Sequence, residues 1–294
     1  MECSRSVASA IQPYAYYFSS IHILLSLTAF LGNSLILVAL HKESSLHPPS
    51  KVLYRCLATT DLLVGLVVHP LAVIHFMSYI HEDWGRCRWT HNVVFISGYA
   101  LCSVSLSTTT TISVDRLLAL LLGLRYRQIV TVKRIQVILV TFWIAAGVFT
   151  SFYSLIYHIT FWSIFVATVS CLLISSASYT KIFRVLRLHH TQIQDHAQQH
   201  PSQPNALNIA RYRKAVYSTL WVQLALFICY LPYCMQVILR TLSKISPTHL
   251  VVSEAPMVVF VCFNSTLNSF LYCWKISEVR QAVKQTMRQA LCCS

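Results

Sequence analysis

Residues 112–120 read ISVDRLLAL, with Asp115 and Arg116 side by side in a run that is otherwise apolar or hydroxylic. An adjacent acid and base mean one thing in water and another at the edge of a hydrocarbon layer, so the surroundings of this stretch decide the fold. The chain has 294 residues, 55% hydrophobic and 11% charged, with a mean hydropathy of +0.57. A soluble domain carries about 25% charged residues. Length alone would allow one large domain or two small ones, but the apolar residues gather in long blocks rather than in the short alternating patterns of a soluble core. The composition is that of a membrane protein.

Crossing roughly 30 Å of hydrocarbon takes about 20 apolar residues in a helix. Seven blocks approach that length: 14–40, 51–77, 88–120, 133–156, 161–186, 209–239 and 250–274. The expected fold is an all-α membrane protein, a seven-transmembrane helix bundle over residues 14–274. Residues 1–13 are expected to form an extracellular N-terminal tail, and residues 275–294 a short cytoplasmic amphipathic helix and C-terminal tail.

Lysine and arginine set the orientation. Lys42, Lys51, Arg55, Arg125, Arg127, Lys133, Arg134, Lys181, Arg184, Arg187, Arg211, Arg213 and Lys214 fall, with the basic tail, in or near one set of connections; the other set holds Arg5, Arg86, Arg88, Arg240 and Lys244. Basic connections stay in the cytoplasm, so the chain is expected to start outside and end inside. The formal charge of +14 is spread between apolar blocks rather than gathered in a patch, so nucleic acid is not an expected partner; the lipid bilayer is. The start MECSRS lacks a basic region leading into a short apolar core and cleavage site, and the first block reads as a retained span.

The longest connection, Leu188 to Asn208, is polar and holds His189, His190, His196 and His200; their spacing matches no common zinc pattern, and a solvated loop is the reading. Of the 11 cysteines most lie within spans. Cys3 and Cys87 fall outside them, leaving room for at most one extracellular disulfide, Cys3–Cys87. Cys292 and Cys293 follow the amphipathic stretch Ile276 to Leu291, a pattern that suggests S-palmitoylation.

Each of the seven blocks carries a landmark: Gly32-Asn33, Leu57-Ala-Thr-Thr-Asp61, Asp115-Arg116-Leu117, Trp143, Tyr179, Cys229-Tyr-Leu-Pro232 and Asn268-Ser-Phe-Leu-Tyr272. In this order, at workable depths, they resemble the class A (rhodopsin-like) G protein-coupled receptors. Asp115-Arg116-Leu117 stands as a variant of that family's DRY motif, Cys229 to Pro232 where CWxP is expected, and Asn268 to Tyr272 where NPxxY is expected. The resemblance implies a plasma-membrane receptor that passes an extracellular signal to a heterotrimeric G protein, with no catalysis of its own.

It also implies site residues. An aspartate at the position of Asp61 helps hold a sodium ion in the family, with oxygens at the positions of Ser105, Asn264 and Asn268; no other cofactor is implied. Arg116 is held by Asp115 at rest and meets the G protein when freed. Tyr179, Pro232, Asn268 and Tyr272 take part in activation. The common pocket positions fall on Gly98, Tyr99 and Cys102, on Ser163 and Ala167, on Tyr230, Tyr233 and Cys234, and on Glu254, Val258 and Cys262, with Glu82 and Asp83 near the rim. Gly98 replaces the aspartate of amine receptors and Cys262 the lysine of retinal photoreceptors, so neither ligand is expected. A small apolar molecule and a peptide with a basic residue both suit this pocket.

Departures from the pattern touch activation: Tyr230 for the usual tryptophan, Ser269 and Cys171 for prolines, Gly123 for the proline before Arg125-Tyr126. No acid lies in Ala210 to Lys214 to restrain Arg116 from the sixth span, so measurable basal signalling is expected. The fourth and fifth spans are joined by roughly Tyr157 to Thr160 with no cysteine, similar to melanocortin, adenosine and lipid-type receptors as a loose group. The alternative to a receptor is a transporter or channel that uses the intramembrane charges, but repeated halves and paired broken helices are missing. No histidine, carboxylate or serine pairing points to an enzyme.

Overall fold

The computed structural model describes residues 3–42, 46–151, 157–199, 205–242, 247–275, 280–281 and 288. Among them, seven helices of 20 residues or more follow one another: α1 (Arg5–Lys42), α2 (Pro48–Ile80), α3 (Trp84–Leu122), α4 (Val132–Ser151), α5 (Tyr157–Gln199), α6 (Asn205–Leu242) and α7 (Pro247–Lys275). No strand occurs among the described residues. Stretches of α1 to α6 are long and apolar enough to cross a membrane. Large apolar side chains such as Leu24, Leu31, Val137, Ile144, Leu173 and Phe270 point outward, as they must where the solvent is lipid.

The α3 helix packs against α2, α4, α5 and α7, and α1 closes the ring against α2 and α7. Buried hydroxyls cluster in the middle of α3, with Ser105, Thr108, Thr109, Thr110 and Ser113 all inside. Thr108, Thr109 and Ser113 bond the carbonyl four residues back, at 2.7, 2.9 and 3.0 Å. Small polar side chains of this kind let helices approach closely without leaving orphaned hydroxyls in hydrocarbon.

Three expected boundaries move. The α1 helix begins at Arg5, not Tyr14, because Val7, Ala8, Ile11 and Ala15 form one apolar stripe that packs with Phe76, Tyr79, Cys87 and Ala255. A count of spanning length cannot see that packing. Cys3 and Cys87 are joined by a disulfide across 84 residues, tying the approach to α1 onto the first turn of α3. At about 1.5 Å per residue α1 is longer than a bilayer core is thick, so part of it stands clear.

The polar stretch after Leu188 continues α5 to Gln199 rather than forming a loop at once. It holds no glycine or proline before Pro201, so nothing stops the hydrogen-bond ladder until the residues that precede that proline. Tyr157 to Thr160, expected as a connection, are the first turn of α5. The amphipathic stretch Ile276 to Leu291 lies almost wholly outside the described residues, as do Cys292 and Cys293.

Within α2, a π-helical turn spans Val64–Val68, and the N–H of His69 reaches back five residues to the Val64 carbonyl. Pro70 explains it: the proline has no N–H and crowds the carbonyl four residues earlier, so the ladder shifts register just before it. This one-residue bulge follows Asp61 by a single turn and resets the face that the upper half of α2 presents.

Candidate functional site

The α3 helix carries three levels of chemistry along its length. Near the end of the bundle where α1 begins, Gly98, Tyr99 and Cys102 line a cavity of about 190 Å³. One turn further on, Ser105 reaches a buried carboxylate. Ten residues beyond that, roughly 15 Å along the axis, are Asp115 and Arg116.

The cavity takes most of the expected pocket residues: Gly98, Tyr99, Cys102, Tyr230, Tyr233, Glu254, Val258 and Cys262 are in its wall. Ser163 and Cys234 are not. On α5 the wall is formed by Phe161, Ile164 and Thr168; one residue is 100° of helix rotation, which turns Ser163 aside, and Ala167 is likewise absent from the wall. Cys234 is buried instead among Leu106, Leu172, Leu226 and Cys229. The rim acids are also spoken for. Asp83 caps α3 by accepting from the Arg86 N–H at 3.0 Å, and Glu82 lies 3.9 Å from Arg5.

Several wall residues were not expected. His75, Phe76 and Tyr79 come from α2, His91 and Phe95 from α3, Gln236 and Arg240 from α6. His91, Phe95 and Tyr99 stack along α3, with ring centres 6.3 and 4.1 Å apart in turn. That i, i+4 stripe of rings was readable in the sequence, but whether a stripe faces a cavity or a neighbouring helix is decided by packing. The two full charges in the wall cancel: Arg240 donates to the Glu254 carboxylate, with its guanidinium 5.5 Å from the centre of the Phe161 ring. One turn below, Gln236 donates to Ser253 at 2.6 Å, so α6 and α7 are doubly linked at the mouth.

At the cavity floor, Tyr230 is 3% exposed and its hydroxyl receives the Asn264 amide at 3.4 Å. Asp61 is fully buried; Ser105 Oγ donates to one carboxylate oxygen at 2.8 Å and Asn268 Nδ2 to the other at 3.0 Å. The expected set Asp61, Ser105, Asn264 and Asn268 thus converges from α2, α3 and α7, although Asn264 bonds Tyr230. No basic side chain among the described residues forms an ion pair with Asp61. Alongside, Asn33 of α1 bonds the Ser265 carbonyl of α7 at 3.2 Å. Gly32 favours that approach, since a Cβ there would sit 2.4 Å from Ser269 Oγ and force that side chain to shift.

At the lower end Asp115 is 3% exposed and accepts from Ser50 Oγ at 2.9 Å and from the Tyr126 hydroxyl at 2.5 Å. Arg116 stands 3.4 Å from the same carboxylate, with its guanidinium 5.6 Å from the Tyr54 ring centre. The acid and base of ISVDRLLAL do pair, but Ser50 and Tyr126 were missed. Tyr126 reaches back because α3 stops at Gly123, whose φ of +50° is a conformation glycine adopts without steric cost; a short 3₁₀ turn, Gly123–Arg125, follows. Leu124 in that turn is 97% exposed. Tyr179 is buried with Ile182 and Val222 against Leu117 and Leu271. Pro232 lies inside α6, and Tyr272 lies within α7 with its side chain outside the described set, as are those of Ala210 to Lys214.

The arrangement can bind a small molecule at one face and expose or withhold a guanidinium at the other. Among the described residues no group of three or more histidine, cysteine or acidic side chains is placed to hold a metal ion. A profile of the family described as 7 transmembrane receptor (rhodopsin family) matches residues 32–158. The histamine H2 receptor of Cavia porcellus is 28% identical over 313 aligned residues, which cover 95% of this chain and 80% of that receptor.

Proposed function

The chain is a class A, rhodopsin-like G protein-coupled receptor, and from that premise we propose that its ligand is a small, largely apolar molecule without a cationic amine. The observation that carries this is the charge balance of the cavity wall. Glu254 is committed to Arg240, and Gly98 offers no carboxylate to an ammonium. A basic peptide side chain would have to take Glu254 from a partner it already holds, and a cavity of about 190 Å³ suits few heavy atoms. The histamine in the relative's name does not carry over for the same reason. Rings from His91, Phe95, Tyr99 and Tyr233 supply flat apolar surface, with Tyr and His edges as the few orienting polar groups.

In this reading the face where α1 begins is extracellular and the Arg116 end is cytoplasmic, in agreement with the basic connections, and the membrane is the plasma membrane. A ligand pressing on Tyr230 moves a side chain bonded to Asn264, on the same helix as Asn268 and therefore as the partner of Asp61. Pro232 leaves α6 one backbone hydrogen bond short, a natural pivot for its lower half. Activation separates Arg116 from Asp115 so that the guanidinium meets the G protein, with exposed Leu124 beside it as an apolar contact.

The oxygen-rich set around Asp61 fits a hard monovalent cation, because a fully buried carboxylate there has only neutral donors. Asp61, Ser105, Asn264 and Asn268 would hold a sodium ion, which would supply the missing positive charge and favour the resting packing. The test is a library screen with a promiscuous G protein readout in cells expressing the wild type and Arg116→Ala. Uncharged, compact agonists active on the wild type and silent on Arg116→Ala are the expected result. Agonism confined to amines or basic peptides would overturn the ligand class.

A further inference from the structure

We propose that the Cys3–Cys87 disulfide is a thiol–disulfide exchange site, and that its reduction by an extracellular dithiol opens the cavity beside α1. The bond spans 84 residues of chain and pins the approach to α1 onto the first turn of α3. What it holds in place is a piece of the cavity. Ile11, in the second turn of α1, is in the wall, buried in one cluster with Phe76 and Tyr79 of α2 and Ala255 of α7. Release of these turns therefore opens the wall between α2 and α7.

Little else secures the start of α1. Its apolar stripe is Val7, Ala8, Ile11 and Ala15, and the alanines have only a methyl group to bury. Gln12 donates to the Tyr79 carbonyl at 3.0 Å. The Arg5–Glu82 pair, at 3.9 Å between exposed side chains, contributes little. Helix ends open locally at low cost when few contacts hold them, so the covalent link is the main restraint on residues 3–11.

The two sulfurs differ in access. Cys87 is 0% exposed and Cys3 is half-buried, so an incoming thiolate meets Cys3. It attacks Cys3 Sγ, forming a mixed disulfide and displacing Cys87 Sγ as a thiolate, which takes up a proton. The second thiol of the reductant then attacks the mixed disulfide. Cys3 leaves as a thiol, and the reductant, now oxidised by two electrons, closes into a cyclic disulfide. The Cys87 thiolate is released in the first turn of α3, where the helix dipole favours negative charge, and a sulfur that leaves readily speeds exchange.

The proposal rests on the receptor reading only for placing this end outside the cell, and its test needs no signalling. Cys102 and Cys262 are free thiols in the cavity wall, whereas Cys229 and Cys234 are free, buried and outside it; the four are internal reporters. Purified full-length receptor in detergent is treated with dithiothreitol below its unfolding temperature. Alkylation by N-ethylmaleimide and amide exchange are then followed by mass spectrometry. The expected result is that Cys3 and Cys87 become alkylated, that amides 7–15 exchange about 10-fold faster or more, and that Cys102 and Cys262 react faster while Cys229 and Cys234 do not. Amides 105–113 should keep their protection, and reoxidation of an unalkylated sample should restore that of 7–15. Cys3→Ser should behave as the reduced receptor without dithiothreitol and respond no further to it; if that variant does not fold, the reduced wild type decides alone. A bond that yields only as the bundle unfolds would overturn the proposal. So would unchanged exchange of 7–15 after reduction, or wall cysteines no faster than the buried pair. None of these outcomes depends on finding a ligand or a G protein response, so failure here is distinguishable from failure of the receptor reading.

Discussion

Among the described residues two aspartates lie buried in this bundle, and their surroundings differ in kind. Asp61, between α2, α3 and α7, accepts from Ser105 and Asn268, both neutral. Asp115, at the lower end of α3, accepts from Ser50 and Tyr126 and also faces Arg116. A buried carboxylate needs compensation; Asp115 carries its own on the next residue, while Asp61 has dipoles and needs a diffusible ion or water for the rest. On the proposed reading Asp115 is therefore a latch with a built-in counter-charge, and Asp61 the place that a sodium ion from outside would fill.

The contrast can be broken at the latch. In Asp115→Ala, Arg116 loses its carboxylate and Ser50 and Tyr126 their acceptor. Hydrogen bonds to charged groups contribute about 1.5–3 kcal/mol each, so losing two or more should raise basal G protein activation by about 100-fold or more at matched surface expression. Unchanged basal activity would mean that Asp115 does not restrain the resting state. Tyr126→Phe removes one donor, and a rise nearer 10-fold is expected from about 1.4 kcal/mol; a rise equal to that of Asp115→Ala would make Tyr126 the whole latch.

Sodium sharpens the other side. Agonist affinity measured with sodium or with a large organic cation should differ several-fold in the wild type and not at all in Asp61→Asn. The shift should survive in Tyr126→Phe; equal shifts in wild type and Asp61→Asn would remove the ion from the knot. A smaller effect is expected at the seam beside that knot. Gly32→Ala drives a methyl group into Ser269 and should lower stability by about 1–3 kcal/mol, read as a drop in the thermal midpoint, and Ser269→Gly on the same background should restore part of it.

Much of this was legible in the residues, for reasons that differ along the chain. Asp61 and Arg116 stood out because a charge within hydrocarbon is costly and so marks a place where something holds it. Their partners Ser105 and Asn268 were what the resemblance to the rhodopsin-like family implied, and Asp115 is the sequence neighbour of Arg116 on the same helix. Ser50 and Tyr126 did not, since a serine at a helix start and a tyrosine after a glycine have many ordinary roles. Ser163 and Cys234 were misplaced because a pocket position differs from its neighbour by 100° of rotation, and the rotation of α5 and α6 is set by contacts made elsewhere. The early start of α1 escaped a hydropathy count because its first turns are buried by protein rather than by lipid.

From the residues alone came the number of spans, the helical class and the depth of each charge, because hydrocarbon imposes backbone satisfaction and a minimum length on every crossing segment. Which side chains meet was left to the tertiary structure. The bond from Ser50 to Asp115, the cancelling of Glu254 by Arg240 and the facing of His75 and His91 each join residues far apart in the chain or on different helices. Their meeting depends on the azimuth and tilt of whole helices, quantities that arise only when all seven pack at once.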